Sequence, residues 1–106
     1  MEISNRTNNQ YQIFDIKGNI AFEETQEMED YIYTNISIDK NKTIINLKEV
    51  PYLNSSALGA FVRILQTLKN RKMDLFIMNI NSDIDNLFKI TGVNKYFNFI
   101  KESDIN

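Results

Sequence analysis

The feature that most constrains this chain is a strand, a helix and a second strand that follow one another between residues 43 and 80. Residues 43–47 form a short β-branched run without alternation, and residues 75–80 form a second apolar run. Such runs are typical of strands that are covered on both faces. Between them, residues 55–71 predict a helix with one apolar stripe: Leu58, Phe61, Val62, Leu65 and Leu68. A helix that links two buried strands predicts a parallel pair within one sheet.

The N-terminal third predicts a hairpin and then another helix. The apolar-rich stretch at residues 10–16 predicts a strand, and residues 2–7 predict its partner. Residues 23–35 begin with carboxylates, which complement a helix dipole, and continue with apolar side chains spaced for burial: Met28, Tyr31 and Ile32. The acidic side of this helix is expected to face solvent.

The C-terminal third predicts a short helix at residues 81–91, ended by Gly92, and a last short strand within residues 96–100. The polar tail after residue 100 is expected to fray. The predicted order is ββαβαβαβ, an α/β fold with a mostly parallel central sheet, an N-terminal antiparallel hairpin and helices packed against the sheet. We expect one domain over residues 1–106.

The composition argues against an enzyme. The chain has no histidine and no cysteine, so it lacks an imidazole base, a thiolate nucleophile and the usual zinc ligands. Its three glycines are scattered and form neither a Walker loop nor a dinucleotide fingerprint. We therefore expect no catalytic residue, no metal and no cofactor.

The charge and hydropathy patterns also exclude two kinds of partner. The formal net charge is −2 and acidic and basic residues are interspersed, so no basic surface is expected to bind nucleic acid or an anionic membrane. No apolar run approaches the roughly 20 residues that a membrane span needs, and the N-terminus is polar. These patterns predict a cytoplasmic protein that does not insert into membranes.

The loop before the second long helix carries the one distinctive polar pattern. Asn54, Ser55 and Ser56 follow a buried strand directly and precede the apolar stripe, so the helix should begin among them. Free N–H groups and the positive end of the helix dipole at this point attract anions, including a phosphate attached to a serine. The alternative is that the two serines only cap or begin the helix.

The order ββαβαβαβ together with this loop resembles the STAS family, whose bacterial members include anti-sigma-factor antagonists. In that family a buried strand is followed by aspartate, serine, serine or threonine, glycine, and then a leucine-glycine pair. Here the segment reads Asn54-Ser55-Ser56-Ala57-Leu58-Gly59, with Asn54 in place of the aspartate and Ala57 in place of the first glycine. A second landmark is similar as well: a leucine-phenylalanine pair that leads to threonine-glycine at residues 87–92.

The resemblance implies a protein-binding switch. Ser56 matches the serine that is phosphorylated by the partner, an anti-sigma factor with serine-kinase activity, and Ser55 is the fallback acceptor. Unmodified, the domain would bind that kinase and release a sigma factor; phosphorylation would end the binding until a serine phosphatase removed the phosphate. The residues implied in partner binding are Asn54, Ser55, Ser56, Ala57 and Gly59. ATP and magnesium would belong to the kinase.

Two other hypotheses compete with this switch. The same fold serves as a constitutive adaptor or scaffold, for example in a transport or signalling assembly, and such a protein would carry no phosphate. A small enzyme or nucleotide-binding protein is favoured only by the anion-attracting end of the helix.

Overall fold

A hairpin of two strands begins the chain. The computed structural model describes residues 1–105. Strand β1 (Glu2–Asn8) pairs antiparallel with β2 (Tyr11–Lys17), within one residue of the predicted bounds. Asn9, in the turn, has a φ of 56°, a left-handed conformation that asparagine adopts more readily than most residues. The predicted hairpin is confirmed.

Helices alternate with the remaining strands. A 3-10 turn at Phe22–Glu24 precedes the following elements: α1 (Thr25–Asn35), β3 (Lys42–Glu49), α2 (Ser55–Asn70), β4 (Asp74–Met78), α3 (Ser82–Thr91) and β5 (Asn98–Ile100). The five strands lie in the order β1-β2-β3-β4-β5, and β2 to β5 are parallel. The structure is thus a single α/β domain of the predicted class. Within residues 1–105, no helix has both the length and the apolar character to cross a bilayer.

Both faces of the central strand β3 are buried, as its lack of alternation predicted. On the face covered by the three helices, Ile45 lies in register between Phe14 and Ile77, and all three are fully buried. On the opposite face, Ile44 belongs to a smaller apolar cluster with Tyr11, Ile13, Met78 and Ile105, against which Phe76 and Ile100 pack. The sheet therefore separates a large apolar layer from a small one.

Two predicted element bounds need correction. β4 ends at Met78 and not at residue 80, because Asn79 turns the chain with a φ of 64°. α2 ends at Asn70, and its buried stripe includes Ile64, whereas Val62 is only half-buried. The stripe is therefore rotated slightly from the predicted one, toward the side that packs on the sheet.

The C-terminal tail does not fray as predicted. Its residues Glu102–Asp104 form a 3-10 turn, and Ile105 is only 4% exposed within the smaller apolar cluster. The side-chain amide of Asn9 donates a hydrogen bond of 3.3 Å to the carbonyl oxygen of Ile105. The burial of Ile105 and hydrogen bonds such as this one hold the polar segment over the sheet; Asn106 lies outside the described residues.

Candidate functional site

The loop between β3 and α2 is fixed by the segment that follows β2. The backbone N–H of Ile20 donates to the carbonyl of Tyr52 at 3.1 Å, and the N–H of Asn54 donates to the carbonyl of Ile20 at 3.0 Å. Leu53 between them is fully buried and makes an isolated parallel bridge with Ile20. The start of α2 is therefore held at a defined place beside the end of the sheet.

The first residues of α2 present two hydroxyls at a capped helix end. Asn54 is the N-cap, and its side-chain oxygen accepts a hydrogen bond of 2.8 Å from the N–H of Ser56. Ser55 is exposed and Ser56 is half-buried. The first turn contains no acidic residue, so no carboxylate of this turn occupies the positive end of the dipole. The predicted start of the helix among these residues is confirmed.

The hydroxyl of Ser56 is oriented by α1. Its Oγ lies 2.9 Å from Oγ1 of Thr25, and that Oγ1 donates to the carbonyl of Ala21 at 3.3 Å. Either hydroxyl can be the donor in the contact between Ser56 and Thr25. The contact holds the Ser56 hydroxyl against α1.

An open cavity of 430 Å³ lies beside this hydroxyl. Its walls come from the segment before α1, from α1 and from α2: Phe22, Glu23, Thr25, Gln26, Ser56, Gly59 and Arg63. The ring of Phe22 is 70% exposed at its rim. Glu23 and Arg63 give the cavity one group of each charge, so it has no strong preference for either sign in the unmodified protein.

Arg63 of the cavity wall also forms an ion pair between α2 and α1. Nη2 and Nε of Arg63 donate to the Glu29 carboxylate at 2.8 and 3.1 Å, and Tyr33 Oη donates to it at 3.0 Å. Glu23, Glu27 and Asp30 are exposed, as expected for the acidic side of this segment, whereas Glu29 is almost completely buried. The hydrogen bonds from Arg63, and then the one from Tyr33, lower the pKa of Glu29 below its ordinary value.

The structure brings together most of the residues that the sequence singled out. Asn54, Ser55 and Ser56 lie at the helix end, and Gly59 lies one turn further along the cavity wall. Ala57 is different, because its side chain is fully buried in the core. Its methyl group cannot touch a partner, and the residue can contribute to a binding surface only through its backbone.

Sequence reasoning missed the groups that reach this site from elsewhere. Thr25 contacts Ser56 from a position 31 residues away, and no local pattern links the two. Arg63 had a signal, since it follows Ser56 by seven positions and therefore lies on the same side of the helix. Phe22, an aromatic residue within a polar segment before α1, was a second usable signal.

Comparison with known proteins finds a matching family and relatives that cover most of the chain. The family described as the STAS domain matches residues 2–104. An anti-sigma-B factor antagonist of Staphylococcus aureus is 30% identical over 96 residues, which covers 88% of this chain and 88% of that protein.

Two solved structures share the fold. An anti-sigma factor antagonist from Mycobacterium paratuberculosis superposes with a TM-score of 0.82 at 15% identity, over 92% of this chain and 83% of the other. The Bacillus cell fate determinant SpoIIAA in its phosphorylated form superposes with a TM-score of 0.72 at 13% identity, over 97% and 95% of the two chains. At these identities the superpositions establish the common fold alone.

Proposed function

This chain belongs to the STAS domain family, and from that premise we propose that it is a cytoplasmic anti-sigma factor antagonist that phosphorylation of Ser56 switches off. The partner is an anti-sigma factor with serine-kinase activity, which binds the unmodified domain and releases its sigma factor. Transfer of the γ-phosphoryl group of ATP forms the Oγ–P bond of Ser56 and breaks the bond between that phosphorus and ADP. The hydroxyl proton passes to a base of the kinase, and a serine phosphatase later hydrolyses the ester.

The observation that carries the proposal is the state of the Ser56 hydroxyl. Its oxygen is held 2.9 Å from Oγ1 of Thr25, at the rim of an open cavity and at a helix end without acidic residues. A phosphate on this oxygen is compatible with the fold, because the helix dipole favours negative charge there. The domain itself supplies no catalytic group, and the relatives that support the proposal are named as antagonists, not as enzymes.

The surface around Ser56 also suits protein binding. Phe22 and Tyr52 are 70% and 59% exposed, and backbone hydrogen bonds through Ile20 tie their two segments together next to the helix end. Exposed aromatic side chains are typical anchors of protein interfaces. Asn54, Ser55 and Gly59 lie at the same end of α2 and complete the proposed binding surface.

The charge of a phosphate explains how such a surface is switched. Phosphoserine adds about −1.5 to −2 charges at pH 7, and the cost rises when the group is pressed against a carboxylate or an apolar surface of the partner. A penalty of about 3–4 kcal/mol weakens binding several-hundred-fold. This is enough to separate the two states without a change of fold.

The first experiment is the intact mass of the protein recovered from its own host, with and without phosphatase treatment, followed by peptide mapping of residues 49–63. The proposal expects one phosphate, located on Ser56. A phosphate on Ser55 would show that Ser55, and not Ser56, is the residue that the kinase phosphorylates. No phosphate under any growth condition would favour the constitutive adaptor.

Binding to the host's anti-sigma factor provides the second measurement. Ser56→Glu is expected to weaken the affinity several-hundred-fold, whereas Ser56→Ala, which adds no charge, stays within about tenfold of wild type. Gln66→Glu is the matched control, since it places the same charge at an exposed position of α2 ten residues away, outside the proposed binding surface. Undiminished binding by Ser56→Glu would contradict the proposed switch.

A further inference from the structure

Arg63 has a donor, Nη1, that Glu29 does not use and that lies toward the Ser56 side of the cavity. Nε and Nη2 are engaged by Glu29, whereas Nη1 makes no hydrogen bond within residues 1–105. The side chain of Arg63 is 55% exposed, so its unused donors are accessible from the cavity. An arginine that is already oriented by one carboxylate loses little further freedom when it binds a second anion.

Gly59 leaves the path between Ser56 and this guanidinium open. It follows Ser56 by three positions and precedes Arg63 by four, so the three residues lie along one side of α2. A Cβ atom at position 59 would lie 3.5 Å from Nη1 of Arg63, which means that the guanidinium extends over the glycine toward Ser56. Cβ positions three residues apart on a helix are about 5–6 Å from each other. Gly59, between Ser56 and Arg63, has no side chain that would stand in the way of a phosphate on Ser56.

The cavity has space for that group. Its volume of 430 Å³ equals on the order of ten water molecules, and it opens to solvent beside Ser56. Thr25 lies next to the Ser56 hydroxyl, and Glu23 faces the cavity from the 3-10 turn before α1. Glu23 is the one wall group with negative charge, and it opposes a phosphate there, whereas Arg63 attracts it.

We infer that Arg63 is the residue that holds the phosphate of modified Ser56, with Nη1 donating to a phosphoryl oxygen across Gly59 while Nε and Nη2 stay on Glu29. The inference rests on the proposed phosphorylation of Ser56. The phosphate then lies against its own domain and occupies part of the cavity beside Phe22, so the modification blocks the binding surface by volume as well as by charge. A phosphatase must displace the phosphate from Arg63 before it can hydrolyse the ester.

The test uses full-length protein with phosphoserine installed at position 56 during translation, so that no kinase is needed. The second ionisation of the phosphate is followed by 31P NMR as a function of pH. Arg63→Gln is expected to raise the pKa of that ionisation by roughly 0.5, because the dianion loses a charge-assisted hydrogen bond. Arg71→Gln, which removes the same charge from the other end of α2, is the matched control and is expected to change it several times less.

Arg63→Lys keeps the inference testable if Arg63→Gln fails to fold. Lysine retains the positive charge but lacks the several N–H donors with which arginine can bind Glu29 and the phosphate at the same time. The pKa of the phosphate should therefore lie between those of the wild type and Arg63→Gln. Glu23→Gln should move the same pKa downward. A pKa in Arg63→Gln equal to that in Arg71→Gln would overturn the inference. The proposed function fails separately, through the absence of phosphate on Ser56 in the host or through unchanged binding by Ser56→Glu.

Discussion

At the scale of single residues, the geometry of the site depends most on Asn54, whose side chain caps α2 and orients the backbone of Ser56. Asn54→Ala removes an acceptor from the N–H of Ser56, and we expect the free energy of unfolding to fall by about 1 kcal/mol. Urea denaturation monitored by far-UV circular dichroism measures the loss. Asn54→Asp is the matched control, because aspartate caps a helix equally well and restores the residue that the family motif usually has.

The two variants should differ in function as well as stability. Affinity for the anti-sigma factor should fall with Asn54→Ala, since the first turn of α2 then loses its fixed orientation, and should be kept with Asn54→Asp. Equal stability of Asn54→Ala and wild type would show that water replaces the cap at no cost.

At the scale of elements, patterns among neighbouring residues predicted the strands and helices. They did not predict contacts between residues that are far apart in the sequence. The run at β3 lacked alternation, and the structure buries Ile44 and Ile45 on opposite faces. The Asn54 cap was predictable because a cap acts within three residues. The contact of Ser56 with Thr25 and the ion pair of Glu29 were not, because the partners come from different helices and their spacing follows only from the packing of α1 on α2.

The C-terminal segment shows the same limit and gives a prediction. A single isoleucine in a polar tail has no periodicity, yet Ile105 is 4% exposed in the smaller apolar cluster. Ile105→Ala should lower the free energy of unfolding by about 2–3 kcal/mol, through lost burial and the space that is left. Ile38→Ala is the matched control, since Ile38 is 96% exposed and its loss should change stability by less than about 0.5 kcal/mol.

The ion pair between α1 and α2 should make stability depend on pH. Arg63 and Tyr33 lower the pKa of Glu29 in the folded state, so the carboxylate stabilises the fold above its unfolded pKa of about 4.3. That stabilisation is lost as the pH falls through the lower, folded pKa. Glu29→Gln should be less stable than wild type at pH 7 by on the order of 1 kcal/mol, and it should lose less stability between pH 5 and about pH 2.

Urea midpoints at a series of pH values measure this difference. Glu27→Gln is the control on the exposed side of the same helix, and its stability curve should run parallel to that of wild type. A curve for Glu29→Gln that also runs parallel to wild type would show that the ion pair of Glu29 and Arg63 does not contribute to the pH dependence of stability.

At the scale of the whole molecule, one sheet carries both apolar layers, so neither layer can separate without breaking strands that the other layer needs. We expect a single cooperative unfolding transition, as is usual for domains of this size. In a variant whose other four tyrosines are replaced by phenylalanine, fluorescence of Tyr11 reports on the smaller layer, and far-UV circular dichroism reports on the helices of the larger one. The two urea curves should coincide; separate midpoints would mean that the smaller layer opens on its own.

Because both apolar layers share one sheet, we expect the proposed switch to act at the site itself, without a change of fold. A negative charge at position 56 meets a helix end without acidic residues, so Ser56→Glu should leave the free energy of unfolding unchanged or raise it by up to about 1 kcal/mol. Amide NMR shifts should change only around the cavity, because the strands and the second apolar layer lie outside its walls. The same variant is expected to bind the anti-sigma factor several-hundred-fold more weakly, so loss of binding without loss of stability assigns the switch to the group at position 56 and not to a change of fold. Shifts that spread into β1 or the C-terminal segment would instead indicate a conformational change that reaches across the sheet.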